Sequence, residues 1–245
     1  MGARSSEGDV RAGGGQLVVN DDVWVIVPVF NEAATVAAVI ADLRTEFAHV
    51  VCVDDGSSDG SDRIARAAGA TVLRHAVNQG QGAALQTGFD HVLRDTDAAY
   101  AVTFDGDGQH VVSDAVRMVA AAREQGVDVV LASRFTGAST QMPWVRHQVL
   151  RAGIQFTRWT AKLEVTDTHN GLRVLNREAL RRIRLTMPRM AYASEFLSAI
   201  VPNGLSYTEV PTTVNYTEYS RGKGQTNINA VNILFDLAVR RMRAI

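Results

Sequence analysis

Short apolar runs rich in β-branched residues alternate with helix-like segments through the first half of the chain. The run VWVIV at residues 23–27 is followed by apolar residues at helical spacing, and further runs lie at 50–53, 71–73, 99–104 and 128–132. A continuous apolar strand suits a place in a sheet that is covered on both faces. The alternation therefore predicts an α/β fold, with a mostly parallel central sheet and helices on both of its faces.

Polar clusters directly follow three of these predicted strands. In a wound parallel sheet, ligands bind outside the carboxyl ends of the strands. The sequence therefore predicts an active site along this edge of the sheet. The clusters are Asn31-Glu32, Asp54-Asp55 and Asp105-Gly106-Asp107.

The carboxylates of Asp105 and Asp107 are two residues apart across a flexible glycine. From one turn they could converge on Mg²⁺ or Mn²⁺, which would fill its other positions with phosphate oxygens and water. An ordinary Asp-Gly turn is the alternative interpretation. Gln109 and His110 add further polar groups beside this pair.

Two further segments admit both a binding role and a structural role. Asp54 or Asp55 could accept hydrogen bonds from a nucleobase or a ribose, while Ser58 or Asp59 could cap the next helix. The sequence NQGQG at 78–82 resembles an anion-binding loop at a helix start. It lacks the Lys-Ser/Thr pair of a P-loop, and close helix–sheet packing by small residues is the alternative.

Residues 134–163 contain no Asp or Glu and carry five basic side chains, with the aromatic residues Trp144, Phe156 and Trp159 among them. This composition suits a phosphate group or an anionic membrane surface, although scattered surface arginines are also common. Arg221 and Lys223, in a glycine-rich loop, could close over a pyrophosphate or belong to a mobile tether. Glu195 lies in a predicted helix, where it could face a cation, orient a donor sugar or pair with an arginine.

Composition excludes several classes of protein. A net charge of −1 argues against a nucleic-acid partner, and a single cysteine, Cys52, excludes an intramolecular disulfide and a cysteine-rich zinc site. No run of 18 apolar residues predicts a spanning helix, and the N-terminus lacks the apolar core of a secretory signal.

These features predict a cytoplasmic protein with a disordered tail at 1–20, one domain at 21–227 and an amphipathic basic helix at 228–245. That helix could adsorb to lipid or pack on the protein's own core.

Four motifs together resemble the inverting, nucleotide-sugar-dependent glycosyltransferases of family 2. The resemblance extends over about residues 22–225. Later pieces are similar to the polyprenyl-phosphate branch, typified by dolichol-phosphate mannose synthase; they include SRF at 133–135, Arg146 and DTHNGLRVL at 167–175. The four motifs are VIVPVFNE at 25–32, VVCVDDGSSD at 50–59, NQGQGAALQTG at 78–88 and VTFDGDGQH at 102–110.

The resemblance implies the GT-A fold and a set of site residues. Pro28, Asn31 and Glu32 would lie by the nucleobase, with Asp54 or Asp55 contacting base and ribose. Asp105 and Asp107 would form the DXD pair, with Asp107 and Gln109 holding the metal on the diphosphate. Arg134 and Arg146 would bind the acceptor phosphate, and Arg221 and Lys223 would cover the donor diphosphate. The catalytic residues would be Asp107, Glu195 and Arg134.

The implied reaction is metal-dependent transfer of a sugar from a UDP- or GDP-sugar to a polyprenyl phosphate, in cell-envelope glycan synthesis. It would occur on the cytoplasmic face of the membrane, with the protein peripheral to it and a small membrane protein as a candidate partner. Gln81 stands where a lysine is common in the family, and the last loop departs from the usual pattern. A sugar or protein hydroxyl as acceptor, a nucleotidyltransferase, and a non-catalytic nucleotide-sugar-binding subunit remain alternatives.

Overall fold

The computed structural model describes residues 20–134, 163, 165–168, 170–187 and 191–215. The predicted tail, except for its last residue, and the predicted C-terminal helix lie outside the described residues. Arg146, Arg221 and Lys223 lie outside them as well, so their predicted roles stay predictions.

A seven-stranded sheet forms the centre of the described chain, in the order β3-β2-β1-β4-β6-β5-β7. The strands β1 to β4 are mutually parallel, and so are β5 and β7, whereas β6 runs antiparallel to both of its neighbours. The predicted mostly parallel sheet is therefore confirmed. The strands are β1 (Val23–Val29), β2 (His49–Asp54), β3 (Thr71–Arg74), β4 (Tyr100–Thr103), β5 (Val129–Ser133), β6 (Arg173–Asn176) and β7 (Tyr207–Pro211).

Helices cover both faces of this sheet. Buried side chains of α1, α2 and α4 pack on one face, and those of α3, α5 and α6 pack on the other. Because successive side chains of a strand point to opposite faces, the continuous apolar runs supply both layers of the core. The helices are α1 (Val36–Leu43), α2 (Ser61–Ala67), α3 (Gln81–Asp95), α4 (Val112–Gln125), α5 (Arg177–Arg182) and α6 (Ala191–Ile200).

The helical segment predicted after β1 is shorter than its apolar spacing indicated. The spacing extended from residue 31 to residue 47, but α1 begins at Val36. Asn31 has a φ of 55°, which lies in the left-handed region and interrupts a right-handed helix before it starts. Residues 31–35 instead form a turn at the edge of the sheet where the polar clusters lie.

The start of α2 also differs from expectation. Its N-cap is Gly60, with φ 87°, and neither Ser58 nor Asp59 occupies that position. Asp59 instead accepts hydrogen bonds from the backbone N–H and the hydroxyl of Ser61, at 3.0 and 2.5 Å. The acid therefore fixes the first turn from just outside the helix.

Cys52 lies on β2 and is fully buried. Burial, reinforced by the negative charges of Asp54 and Asp62, raises the pKa of its thiol to about 12. The thiol is therefore protonated and unreactive at neutral pH. None of the helices in the described part of the chain has the length and hydropathy needed to cross a lipid bilayer.

Candidate active site

The turn after β4 presents Asp105 and Asp107 at the carboxyl edge of the sheet. The carboxylate of Asp105 accepts a hydrogen bond from the Gln81 side chain at 2.9 Å and one from Nε2 of His110 at 3.0 Å. Burial alone would raise its pKa, but these bonds and the charges of His110 and Arg173 hold the pKa of Asp105 below its ordinary value. Asp105 is therefore an ionised, firmly oriented carboxylate.

Asp107 is in the opposite electrostatic situation. Burial and the neighbouring charge of Asp105 raise its pKa, with a smaller contribution from Glu32, against the hydrogen bond from the Gln109 backbone. Both of its oxygens accept from Gln109, the backbone N–H at 3.0 Å and the side-chain amide at 2.6 Å. The surplus of negative charge at Asp107 favours a positive ligand there.

The loop after β1 is held by hydrogen bonds against the loop after β2 and the first residue of α2. The backbone N–H groups of residues 31, 32 and 33 donate to Ser57, Ser61 and Asp59, each at 2.9 Å. The side chain of Asn31 in turn accepts from the backbone of residue 58 at 3.0 Å. The Asn31-Glu32 corner is therefore tied to the β2 corner, as the common edge of the strands predicted.

The same corner also contacts the turn after β4. The hydroxyl of Thr35 donates to the backbone carbonyl of Gly106 at 2.8 Å. Pro28 lies within β1, buried and in register with Val53 of β2. All three predicted polar corners thus lie along one edge of the sheet.

The carboxylate of Asp55 holds the glycine-rich loop at 78–82 in place. Its carboxylate accepts hydrogen bonds from the backbone N–H groups of Gln79 and Gly80 at 2.9 and 2.7 Å. It also accepts from Nδ1 of His75 at 2.8 Å, so in the neutral ring Nε2 accepts from the hydroxyl of Thr87 at 2.9 Å. The loop predicted to bind an anion at a helix start therefore binds the protein's own carboxylate.

Asp54 is completely buried beside Asp55. One oxygen accepts from the backbone of Ser57 at 3.2 Å, and the other lies 3.3 Å from Nε of Arg74. That second oxygen makes an ionic contact but no hydrogen bond within the described residues. Arg74 also contacts Asp62 at 2.6 Å, so it joins the end of β3 to both acids.

Arg134 follows β5 and forms a two-pronged ion pair with Asp167. Its Nε and one terminal nitrogen lie 2.6 and 2.8 Å from the two carboxylate oxygens, and its backbone N–H donates to the same group at 3.2 Å. This bidentate geometry is the strongest form of arginine–carboxylate pairing. The guanidinium predicted to bind an acceptor phosphate is thus oriented by a buried acid.

The segment from Asp167 to Gly171 joins this ion pair to the turn after β4. The hydroxyl of Thr103 donates to the carbonyl of Gly171 at 2.6 Å. Gly171 lies so close to the Asp105 carboxylate that an added Cβ would overlap both of its oxygens. Only glycine leaves room for this approach, which brings the basic and the acidic parts of the site together.

Glu195 lies on α6, as predicted, and its carboxylate accepts three hydrogen bonds. The donors are the backbone N–H and hydroxyl of Thr186, at 2.9 and 2.6 Å, and the backbone N–H of Met187 at 2.8 Å. The carbonyl of Met187 in turn faces Gly82 in the first turn of α3, where an added Cβ would lie 2.7 Å from it. Glu195 therefore fixes residues 186–187, which pack against the first turn of α3.

Several residues of the site were not singled out from the sequence. His75 and Arg74 contact the Asp54-Asp55 cluster from the end of β3. Arg173 acts on Asp105 through its charge, which helps to lower the pKa of that acid. Basic residues at strand ends form no recognisable sequence pattern. Only the excess of acidic side chains among the predicted site residues could have indicated that basic partners exist.

The chemistry of the turn after β4 suits a divalent ion that is shared with a substrate. No group of three His, Cys, Asp or Glu side chains in the described ranges has metal-holding geometry. Two carboxylates and an amide do suit Mg²⁺ or Mn²⁺, hard cations that keep several positions for phosphate oxygens and water. The raised pKa of Asp107 supports this fit, because a cation would relieve the charge that burial and Asp105 impose.

The described sheet thus carries three acidic corners along one edge, with the oriented guanidinium of Arg134 beside them. The family model of glycosyl transferase family 2 matches residues 24–184. The chain therefore belongs to glycosyltransferase family 2, and the predicted family and enzyme class are confirmed.

Two relatives cover nearly the whole chain. An uncharacterized protein of Methanocaldococcus jannaschii is 35% identical over 228 residues, covering 91% of this chain and 93% of the relative. The UDP-N-acetylglucosamine–dolichyl-phosphate N-acetylglucosaminyltransferase of Methanococcus voltae is 28% identical over 243 residues, covering 90% and 96%. The second of these agrees with the predicted likeness to the polyprenyl-phosphate branch.

A solved structure shares the fold. Glucosyl-3-phosphoglycerate synthase of Mycobacterium tuberculosis, in a complex with Mn²⁺, UDP and glucosyl-3-phosphoglycerate, matches with a TM-score of 0.61 and 19% identity. The match covers 82% of this chain and 74% of that one. The fold is GT-A, as the motifs implied.

Proposed function

We propose that this glycosyltransferase moves a sugar from a nucleoside-diphosphate sugar to a polyprenyl phosphate. The observation that carries the proposal is the close approach of Gly171 to Asp105, because it joins an acidic corner to an arginine already oriented by Asp167. An acidic corner suits a metal-bound diphosphate, and an oriented guanidinium suits a phosphate acceptor.

On the donor side, the loops after β1 and β2 would receive the nucleoside. Asn31 and Glu32 lie in the first of these loops, and Pro28 lies in the strand before it. Asp54 accepts a hydrogen bond from the second loop, whereas Asp55 binds the glycine-rich loop after β3. Since both aspartates are buried and already accept hydrogen bonds, we propose that they act mainly by shaping the loops around the base and ribose. Arg221 and Lys223 would cover the diphosphate.

Asp107 and Gln109, with Asp105 beside them, would hold Mg²⁺ or Mn²⁺ against the donor diphosphate. A bound divalent ion neutralises the charge that develops on the departing nucleoside diphosphate. The M. tuberculosis enzyme was solved with Mn²⁺ and UDP, which supports this assignment by analogy of fold.

On the acceptor side, Arg134 and Arg146 would hold the lipid phosphate. A phosphate oxygen attacks the anomeric carbon, the bond from that carbon to the diphosphate oxygen breaks, and the nucleoside diphosphate leaves with the electron pair. A phosphate is largely ionised at neutral pH because its second pKa is about 6. The attack therefore needs orientation by arginine more than removal of a proton.

The location of the reaction is part of the same proposal. A polyprenyl acceptor resides in a bilayer, so the protein would work at the cytoplasmic face, by its basic segments or through a small membrane partner. The segments at 134–163 and 228–245 are the sequence candidates for that contact.

The test is incubation of the full chain with polyprenyl phosphate, Mn²⁺ or Mg²⁺ and a panel of radiolabelled UDP- and GDP-sugars. We expect label in an organic-extractable, mild-acid-labile product, and none after chelation of the metal or with Asp107→Ala. Asp97→Asn, a change at an exposed acid, is the matched control and should leave transfer unchanged.

Two results would overturn the proposal in different ways. Label found only in water-soluble glycan or on protein would favour a hydroxyl acceptor. Donor binding without transfer to any acceptor would favour a nucleotide-sugar-binding subunit.

A further inference from the structure

Arg173 is a buried charge at the edge of the candidate active site. It is the first residue of β6, is 2% exposed, and lies in register between Thr103 of β4 and Leu131 of β5. Its guanidinium carbon lies 4.1 Å from the centre of the Phe196 ring. A buried guanidinium is costly unless neighbouring groups compensate it, so its presence here calls for counter-charges.

Two acids supply those counter-charges. Burial lowers the pKa of Arg173, and the negative charges of Asp105 and Asp167 oppose that effect, together with Tyr192. The same arginine helps to keep Asp105 ionised. Asp105 belongs to the acidic corner and Asp167 orients Arg134, so one cation interacts with both halves of the site.

The backbone gives this electrostatic link a fixed geometry. Asp167, Gly171 and Arg173 lie within seven consecutive residues. Asp167 holds Arg134, and Gly171 contacts the Asp105 carboxylate while its carbonyl accepts from Thr103. Arg173 then enters the sheet beside Thr103, so one short segment carries Asp167, the close approach to Asp105 and the buried guanidinium.

We propose that Arg173 is a positioning residue that ties the Asp105 corner to the Asp167–Arg134 pair, an assignment that rests on the proposed function. Its charge offsets the mutual repulsion of the two carboxylates and keeps each turned toward its own partner. Without it, the Asp105 carboxylate keeps its hydrogen bonds from Gln81 and His110 but loses a compensating positive charge. Asp167 loses a positive charge as well.

The test compares Arg173→Met and Arg173→Lys with a matched control, Arg177→Met. Arg177 is four residues further on and donates to the backbone carbonyls of Ala98 and Leu93 at 3.2 and 2.7 Å, so its loss removes hydrogen bonds without touching the two acids. Mn²⁺ affinity in the presence of nucleoside diphosphate, KM for polyprenyl phosphate and thermal unfolding are measured on each full-length protein.

We expect Arg173→Met to weaken Mn²⁺ affinity by about ten- to hundredfold, as is usual when a group that supports a metal ligand is removed, and to raise the acceptor KM. Arg173→Lys should recover most of the affinity because the charge is retained. Arg177→Met should lower only the unfolding temperature. Equal effects of the two methionine variants on metal affinity would overturn the assignment.

A second variant keeps the test decisive if Arg173→Met does not fold. Asp167→Asn removes the acid on the Arg134 side, which releases Arg173 to move toward Asp105 and compete with the metal. We expect Mn²⁺ binding to weaken by about tenfold, and an unchanged affinity would contradict the link. A wild-type protein that binds neither Mn²⁺–nucleotide nor acceptor overturns the proposed function itself, whereas normal binding with unaffected variants overturns only the role of Arg173.

Discussion

Glu195 and Thr186 are joined by two hydrogen bonds, one from the Thr186 backbone at 2.9 Å and one from its hydroxyl at 2.6 Å. A third bond, from the backbone of Met187, completes the coordination of the carboxylate. A catalytic base has to keep an oxygen available for the proton that it removes. The arrangement therefore favours a supporting role for Glu195 in the turn that contacts α3.

Glu195→Gln should reduce turnover less than Asp107→Ala does. Glutamine keeps one oxygen to accept from the turn but places an N–H₂ group where the other oxygen was, so we expect a loss of about 1–2 kcal/mol in stability. The measurements are kcat for transfer and the free energy of unfolding. Loss of all turnover with donor affinity intact would instead identify a base acting on a hydroxyl acceptor.

Gly171→Ala should displace the Asp105 carboxylate, since a Cβ at this position overlaps both of its oxygens. We expect metal-dependent donor binding to fall by about tenfold or more, because disturbing the groups that orient a metal ligand changes metal affinity by that much. Gly126→Asn is a suitable control, because Gly126 ends α4 with φ 63° and an added Cβ meets nothing within 4 Å. Equal donor affinities in the two variants would contradict the predicted overlap.

Asp107→Asn should raise the unfolding temperature of the metal-free protein at pH 7. Burial and the charge of Asp105 raise the pKa of Asp107 in the folded state, so folding stability falls as pH rises from the unfolded pKa, about 3.9, through the folded one. At pH 7 the wild type bears the full destabilisation, and below the unfolded pKa the two proteins should converge. Mn²⁺ with nucleoside diphosphate should stabilise the wild type and leave the variant unchanged; a variant that gains the same stabilisation would remove Asp107 from the metal site.

Asp128→Asn should have the opposite pH dependence. Burial alone would raise the pKa of Asp128, but hydrogen bonds from the hydroxyl and backbone of Ser206 and from Asn176 lower it. Its contribution to stability is present above the unfolded pKa and is lost as pH falls through the folded value. We expect the variant to be less stable than the wild type by about 0.5 kcal/mol at pH 7, because solvent screens this partly exposed carboxylate, with the difference vanishing in acid. Thermal melts from pH 7 to pH 3 check this, with Asp97→Asn as the control.

The first five strands and the three acidic corners were predictable because their signals are local. A buried strand needs a continuous apolar run, and the corners are polar residues at the ends of such runs. The strand β6 was missed because only its two central residues are apolar, with Arg173 and Asn176 at its ends. It is a strand because it pairs with β4 and β5, which lie dozens of residues away along the chain.

For a similar reason, the sequence could not show that Asp55 binds groups of the protein itself. Its partners are His75 and two backbone N–H groups more than 20 residues away, and nothing in DDGSSD distinguishes an acid that binds a ligand from one that binds a loop. The sequence pattern placed a carboxylate at the edge of the sheet. The direction in which this carboxylate points depends on β3 and the loop after it, which bring its hydrogen-bond donors next to it.

The isolation of Cys52 makes the protein a convenient object for spectroscopic labelling. Cys52 carries the only thiol of the chain, is buried in β2 and has a pKa far above neutral pH, so it is protonated under ordinary conditions. The wild-type chain should therefore resist maleimide reagents while it is folded. A cysteine introduced at a chosen surface position can therefore carry a single fluorophore or spin label without any prior removal of native thiols. Distances between such a label and a lipid bilayer would then test the proposed contact with a membrane.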